Sequence, residues 1–478
     1  MIDLANKQVL VVGLGNRGRP MCEYLHRHGA TVTGVDHTDH PVLRAAVAAL
    51  REAGIKIELG VSALPNRWFD FAVISPGVPP GSALMKALEK TDVPVIGELE
   101  LGFQQTKCLA LAIAGTNGKG TTAEMVERIL THAHRKTIVA GHAGQSVCAV
   151  ADQTHELDYL ILQVNALQLE RVETLRPSVA VVLNLGWDFQ ERFATADDYA
   201  RVVAKVFQNQ QSFDWAIVQS EALARLRSLG VKPRAKIVTF SATDESADIH
   251  LERGLLLSRL DDWAGPLLNM DQCRVRGPHN AENLMAALAV GRALRIPLDQ
   301  MIETLKTYDA GAHRCELVAE VNDVQFINDS KATNLDALDK ALRAARPGHA
   351  GQPNVWLIAG GVDRGESFHD VGPQIAQRVK GAFLIGECSD KVRAAWGLFT
   401  PCTAVGSLLE AVTVAANSAS AGDVVLLSPA CPSFDQFRNY QQRGEEFCAA
   451  VKTISRGVND EHPNKPGRIS VGQKSETE

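Results

Sequence analysis

The sequence predicts an α/β protein of three domains, and three observations carry that reading. Its 478 residues are too many for one hydrophobic core. Short apolar, β-branched runs alternate with helical patterns almost throughout, as they do where parallel strands are buried on both faces. The strand–helix alternation also falls into three blocks, residues 1–103, 104–308 and 309–455.

In the first block, "QVLVVGL" (8–14), "TVTGV" (31–35) and "FAVISPG" (71–77) read as strands. In the second, so do "CLALAIAG" (108–115), "TIVAG" (137–141), "YLILQV" (159–164), "VAVVLNL" (179–185) and "WAIVQ" (215–219). "IHLERGLLLSRL" (249–260) has the pattern of a hairpin, a small β part appended to that sheet. The third block contributes "FIND" (326–329), "VWLIAGG" (355–361), "GAFLIG" (381–386) and "DVVLLSPA" (423–430). From residue 456 the chain is polar and poor in apolar residues, and it reads as a disordered tail.

Hydrophobic residues make up 45% and charged residues 22% of the chain, with a net charge of −6, so nothing favours a nucleic-acid partner. Nine cysteines lie scattered without a CxxC pair, the usage of reduced thiols. The first residues enter a strand directly rather than a leader, and no apolar run approaches the ~20 residues that cross a bilayer. These features predict a cytoplasmic protein without a membrane partner.

"GLGNRG" (Gly13, Gly15, Gly18) follows a strand and opens a helix, and Asp36 ends the next strand at the distance of a ribose-binding acid. Three readings stand: a dinucleotide-binding oxidoreductase, a tight turn of any doubly wound domain, or a smaller nucleotide with one sugar and a diphosphate. The Pro/Gly-rich turn "SPGVPPG", with Ser75, Pro76 and Gly77, aims at the same cleft, and the sheet ends near residue 103. Both favour the third reading.

"GTNGKGTT" (115–122) lies between a strand and a good helix. The backbone N–H groups of Gly115, Thr116, Asn117 and Gly118, with the helix N-terminus, suit phosphate oxygens. Lys119 brings a point charge to the β/γ-phosphates and is the predicted catalytic residue. The residue after such a lysine ordinarily supplies a hydroxyl to Mg²⁺, and here it is Gly120.

Six stretches in order, "AGTNGKGTT" (114–122), "RGPHNAENLMAALA" (276–289), "AHRCELV" (312–318), "FINDSKATN" (326–334), "AGGVDRGESF" (359–368) and "LLSPACPSFDQF" (426–437), resemble the Mur ligases of the D-glutamate-adding type. The resemblance runs to about residue 455. It implies an N-terminal Rossmann-like domain for the UDP end of the substrate, a central P-loop ATPase domain and a C-terminal Rossmann-like domain for the amino acid. The implied reaction is ATP-dependent: the carboxylate of UDP-N-acetylmuramoyl-L-alanine becomes an acyl phosphate that the amine of D-glutamate attacks, in peptidoglycan precursor synthesis. A monomer is implied.

Position by position, Lys119 and Thr121 match the family's phosphate contacts, and Asn280, Asn283, Arg314 and Asp329 its other nucleotide contacts. Leu14, Gly15, Asp36 and Ser75 match the uridine end. Lys331, Thr333, Ser433, Phe434 and Tyr440 fall where the amino acid is held, with Arg364 in place of a lysine. His279 reads as structural, Asn334 as a helix N-cap and Cys431 as a packed residue rather than a nucleophile.

The family's Mg²⁺ ligands are another matter. The hydroxyl after the loop lysine is Gly120, the acid of the family's E-x-S-S-x-Q-L-E is Gln163, the histidine of N-x-x-x-D-H-x-D is Phe189, and the carbamylated lysine is Val203. Mg²⁺ prefers hard oxygen ligands including carboxylates. Two functions therefore stand at this point: an amide ligase with a remodelled metal site, or a ligase-like protein that binds nucleotide or UDP-precursor without turnover.

Overall fold

The computed structural model describes residues 2–142, 144–190 and 192–461, with side chains to residue 454. The described residues form two compact units. The first takes in residues to 188, 195–274 and 280–308; the second takes in 189–194, 275–279 and the chain from 309.

The first unit carries two sheets. One comprises β1 (Gln8–Val12), β2 (Thr31–Asp36), β3 (Lys56–Leu59), β4 (Phe71–Ile74) and β5 (Val95–Gly97). All are parallel, in the order β3-β2-β1-β4-β5. β1 sits at the centre, with Val9 to Val12 fully buried between helical layers, which is why its sequence is an unbroken apolar run.

The second sheet comprises β6 (Leu109–Ala114), β7 (Thr137–Gly141), β8 (Tyr159–Gln163), β9 (Val179–Val182), β10 (Trp215–Gln219), β11 (Lys236–Ser241), β12 (Ile249–Glu252), β13 (Leu255–Ser258) and β14 (Gly265–Asn269). Its order is β14-β13-β12-β11-β10-β9-β6-β8-β7. β6 lies between β8 and β9, and the strand order reverses around it, the kind of switch point where α/β sheets bind ligands. β12 and β13 pair antiparallel, Ile249 opposite Ser258, as the hairpin reading expected.

The second unit carries β15 (Glu316–Val321), β16 (Val324–Asn328), β17 (Val355–Gly360), β18 (Val379–Ile385), β19 (Cys402–Ala404) and β20 (Val424–Leu427), in the order β15-β16-β20-β17-β18-β19. Here the purely parallel expectation is corrected: β15 pairs antiparallel with β16 through the two-residue turn Asn322–Asp323, both at positive φ.

The tail reading is also corrected in part. The last helix, Tyr440–Glu461, runs through 456–461. Once a helix is nucleated, each further residue adds a hydrogen bond at little cost, so polarity alone does not end it. The remainder of the predicted tail, 462–478, lies outside the described residues. Among the described residues no helix is long and apolar enough to cross a membrane.

Candidate functional site

The loop Gly115–Gly118 joins β6 to helix Lys119–His132. Gly118 is the helix N-cap residue with φ of 87°, and a Cβ there would stand 2.4 Å from Asn283 Oδ1. Both the left-handed conformation and the contact demand glycine. The loop is held from behind. Asn184, just past β9, accepts from Asn117 N–H at 2.9 Å and donates back to the Asn117 carbonyl at 3.0 Å. Thr116 Oγ1 lies 2.9 Å from the Gly186 carbonyl and 3.0 Å from Tyr199 Oη.

Lys119 Nζ donates to the carbonyls of Gly115 and Thr116, each at 2.7 Å, so its charge sits over the loop. Thr122 Oγ1 donates to Asn283 Oδ1 at 3.2 Å, and Asn283 Nδ2 to Asn280 Oδ1 at 3.3 Å. Thr121 is buried beside them. Lys119, Thr121, Asn280 and Asn283 thus belong to one neighbourhood in the first unit. Arg314 and Asp329 belong to the second unit.

The glycine loop of the first sheet is built by close approach. A Cβ on Gly18 would stand 1.7 Å from the Gly13 carbonyl, whereas Gly15 faces open space. Asp36 is 8% exposed, and its carboxylate accepts from Leu14 N–H at 2.7 Å and Thr38 N–H at 2.8 Å. Its place in the fold is to hold the loop, and the Leu14 side chain is fully buried. Ser75 is buried behind the loop, while Pro76 is half-buried and Gly77 exposed.

Sequence reasoning missed Arg17. Its guanidinium donates to the carbonyl of His142 and, at 3.3 Å, to that of Gln145, which ties the glycine loop to the segment after β7. Behind it lies Glu98, fully buried, with Oε2 lacking a hydrogen-bond partner among the described residues. Burial pushes the Glu98 carboxyl up, against the pull of Cys148 N–H and Arg17. The signal was available: an arginine inside a glycine loop and an acid in "GELEL" that lies at the end of a buried strand.

The predicted metal positions divide. Gly120, Gln163 and Val203 lie in the first unit and Phe189 in the second. Gln163 ends β8, 6% exposed, and offers only a neutral amide. Val203 is 1% exposed, one turn after Tyr199 on helix Ala196–Val203, so it shares the helix face whose Tyr199 reaches Thr116. Lys205 follows in a 3₁₀ turn, and its Nζ donates to the Glu170 carbonyl at 2.6 Å. Asn165 caps helix Ala166–Leu169 in a capping box with Gln168, and its Nδ2 lies 2.9 Å from His142 Nδ1. Among the described residues no group of three His, Cys, Asp or Glu is placed to hold a metal. Gly120, Gln163 and Val203 carry no carboxylate, the hard oxygen donor that Mg²⁺ prefers.

In the second unit, Asp329 is 7% exposed and accepts from Ser428 Oγ at 3.0 Å and Cys315 N–H at 3.1 Å. Burial pushes its carboxyl up to about 7, with those hydrogen bonds and Arg314 opposing. Lys331 Nζ stands 4.1 Å from the Tyr440 ring centroid, a cation–π contact. Ser433 is 2% exposed, and Phe434 beside it is 67% exposed. Arg364 is exposed and Thr333 half-buried. Asn334 caps helix Leu335–Ala344, its Oδ1 accepting from Ala337 N–H at 2.9 Å. His279, half-buried, has its imidazolium pushed down to about 4 by desolvation and Lys340, which keeps it neutral.

A second residue missed from sequence organises this end of the sheet. Arg443 is fully buried, and its guanidinium donates to Ser330 Oγ at 3.0 Å, the Ser330 carbonyl at 2.9 Å and the Cys431 carbonyl at 3.0 Å. It clamps the loop carrying Lys331 to the loop carrying Ser433.

The chain was compared with known families and proteins. Residues 7–97 match the MurD-like N-terminal domain of Mur ligases, 113–291 the Mur ligase middle domain, and 313–431 the Mur ligase glutamate ligase domain. It is 36% identical over 451 residues to the UDP-N-acetylmuramoylalanine–D-glutamate ligase of Acidobacterium capsulatum, covering 93% of this chain and 96% of that one. The protein of the same name from Pelotomaculum thermopropionicum is 33% identical, with 95% and 99% covered. Among solved structures, MurF ligase from Thermotoga maritima in complex with ADP superposes with a TM-score of 0.60 at 15% identity, covering 95% and 100%. The UDP-N-acetylmuramate–alanine ligase MurC of the same organism gives 0.59 at 17%, covering 94% and 100%. At these identities the structures speak for the fold, whereas the relatives, matched over nearly their whole length, decide the lineage: the chain belongs to the Mur ligase family, alongside the curated UDP-N-acetylmuramoylalanine–D-glutamate ligases.

Proposed function

We propose that this protein is an ATP-dependent, cytoplasmic ligase that adds D-glutamate to UDP-N-acetylmuramoyl-L-alanine in peptidoglycan precursor synthesis. The observation that carries the reading is the loop Gly115–Gly118 with Lys119, fixed by Asn184, Thr116 and Asn283, in a chain matching D-glutamate ligases end to end. Three tasks follow from the chemistry of the reaction. The nucleotide phosphates are held by loop N–H groups, the N-terminus of helix Lys119–His132 and the Lys119 charge. Asn280 and Asn283 extend that neighbourhood. The uridine diphosphate end is assigned to the loops at Gly15 and at Ser75–Gly77.

The third task is to hold the amino acid. We assign Lys331 and Arg364 to its carboxylates, with Thr333, Ser433, Phe434 and Tyr440 as further contacts. Little covalent chemistry is asked of such a protein, because positioning and charge neutralisation lower the barrier of phosphoryl transfer. Relatives of this type use Mg²⁺; Gly120, Gln163 and Val203 bring no charged oxygen to it, and the tasks above fall to the chain's own N–H groups and cations.

The test is purified protein with ATP, UDP-N-acetylmuramoyl-L-alanine, D-glutamate and Mg²⁺, with phosphate release measured as each substrate is omitted. Release that requires both co-substrates supports the proposal. Nucleotide binding by calorimetry without release under any combination overturns it and identifies a binding protein.

A further inference from the structure

No task has yet been given to the thiols of Cys388 and Cys431. Their Sγ atoms are 3.4 Å apart, and the residues are 3% and 2% exposed. Each sits in a loop at the C-terminal end of a parallel strand, Cys388 three residues past β18 and Cys431 four past β20. β17 lies between those strands, and its own loop threads the gap. Cys388 N–H donates to the Gly361 carbonyl at 3.0 Å, and a Cβ on Gly361 would stand 3.0 Å from Cys431 Cβ. The Cys431 carbonyl takes one arm of Arg443, and Ser433 is two residues on. We propose that Cys388 and Cys431 form a reversible disulfide with peroxide as oxidant, a modification site that locks the loop carrying Ser433.

The geometry needs little change. A disulfide bond is about 2.05 Å long, so the sulfurs must close by about 1.4 Å, within reach of side-chain rotation and a small loop shift. The chemistry is asymmetric. The hydrogen bond from Cys431 holds the Cys388 thiol below its ordinary value despite burial, whereas the same contact, with burial added, pushes Cys431 up. Thiolate is the nucleophile, so Cys388 attacks first.

The Cys388 sulfur attacks a peroxide oxygen; an S–O bond forms, the O–O bond breaks, and hydroxide leaves to take up a proton. The Cys431 thiol then gives up its proton and attacks the Cys388 sulfur. The S–S bond forms, the S–O bond breaks, and a second water leaves. Two thiols and one hydrogen peroxide give one disulfide and two waters, and the two electrons lost by the sulfurs reduce the peroxide. A reducing thiol reverses the modification by exchange.

The effect on amino-acid addition rests on the assignment of Ser433 and Phe434 made above; the disulfide does not. The test treats the full chain with stoichiometric hydrogen peroxide, alkylates it, and maps peptides by mass spectrometry without reduction. The expected result is a loss of about 2 Da in a linked pair of peptides holding Cys388 and Cys431, reversed by dithiothreitol. In Cys431→Ser the link is absent and dimedone traps a sulfenic acid on Cys388. If both thiols stay reduced while Cys315, Cys402 or Cys448 is oxidised, or if another pair links, the proposal is overturned. This mapping uses the unmutated protein and needs no turnover. A linked pair that leaves the KM for D-glutamate unchanged keeps the disulfide and removes Ser433 from the amino-acid site.

Discussion

Replacing Arg443 by methionine tests whether a single buried cation sets the loops that carry Ser330 and Cys431 in the second unit. Its three bonds at 2.9–3.0 Å join Ser330 to Cys431. Hydrogen bonds to a charged group contribute roughly 1.5–3 kcal/mol each, about 4–9 together. Against this stands the cost of burying the charge, which lowers the guanidinium pKa from 12.5 to about 10. At about 1.4 kcal/mol per pKa unit that cost is on the order of 3 kcal/mol. The difference leaves about 3 kcal/mol of net stabilisation. Methionine fills much of the volume, so cavity formation adds little.

The loss is local, so hydrogen exchange is the suitable assay. Protection of amides at 328–333 and at Ala430, Cys431, Ser433 and Phe434 should fall roughly a hundredfold in Arg443→Met, with β1–β5 unaffected. Arg443→Lys should recover little, because an ammonium on a single stem does not span Ser330 and Cys431 as the planar fork does. A change under about fivefold in Arg443→Met would refute the reasoning.

Three other outcomes follow from the same geometry. Gly118→Ala places a Cβ at φ of 87° and 2.4 Å from Asn283 Oδ1, so ADP affinity by calorimetry should fall at least tenfold; Gly254→Ala, with nothing near its Cβ, should leave affinity unchanged. Asp329 has a folded pKa of about 7 against 3.8 for the ordinary carboxyl, so the folded state holds the extra proton and stability falls as pH rises from about 4 to 7. Asp329→Asn should flatten that slope, worth up to about 4 kcal/mol, in denaturation at pH 5 and 7.5. Mn²⁺ added without nucleotide should show no tight site by electron paramagnetic resonance in the native chain; a tight native site would show that the neutral donors at Gly120 and Gln163 had been misjudged.

Much of the fold was legible because parallel strands buried on both faces write themselves as apolar runs. The strands left unread were mostly edges: β3, β5, β14, β15 and β19 each border a sheet. Edge strands are short and polar because an open edge must discourage pairing, and β14 even carries Pro266. β11 is interior yet half exposed along Lys236, Ile237 and Thr239, so "KIVTFS" lacks a continuous apolar signature.

At the site, motif residues were readable and their supports were not. Asn184 closes the apolar run of β9 and could have been noticed as a polar residue facing the phosphate loop. Arg443 lies 113 residues from Ser330, and no local pattern betrays such a bond. Asp36 adds a role that its spacing did not announce: each of its oxygens accepts from a backbone N–H of its own domain.

The most direct measurement follows the oxygen. UDP-N-acetylmuramoyl-L-alanine carrying ¹⁸O in its alanyl carboxylate is incubated with ATP, Mg²⁺, D-glutamate and the purified protein, and the released phosphate is examined by mass spectrometry. Amide formation through an acyl phosphate predicts one ¹⁸O in each phosphate, matched by a product heavier by one glutamyl residue. Phosphate without ¹⁸O, the mark of ATP hydrolysis by water, or bound nucleotide that releases none, would contradict the assignment of this chain as a working ligase.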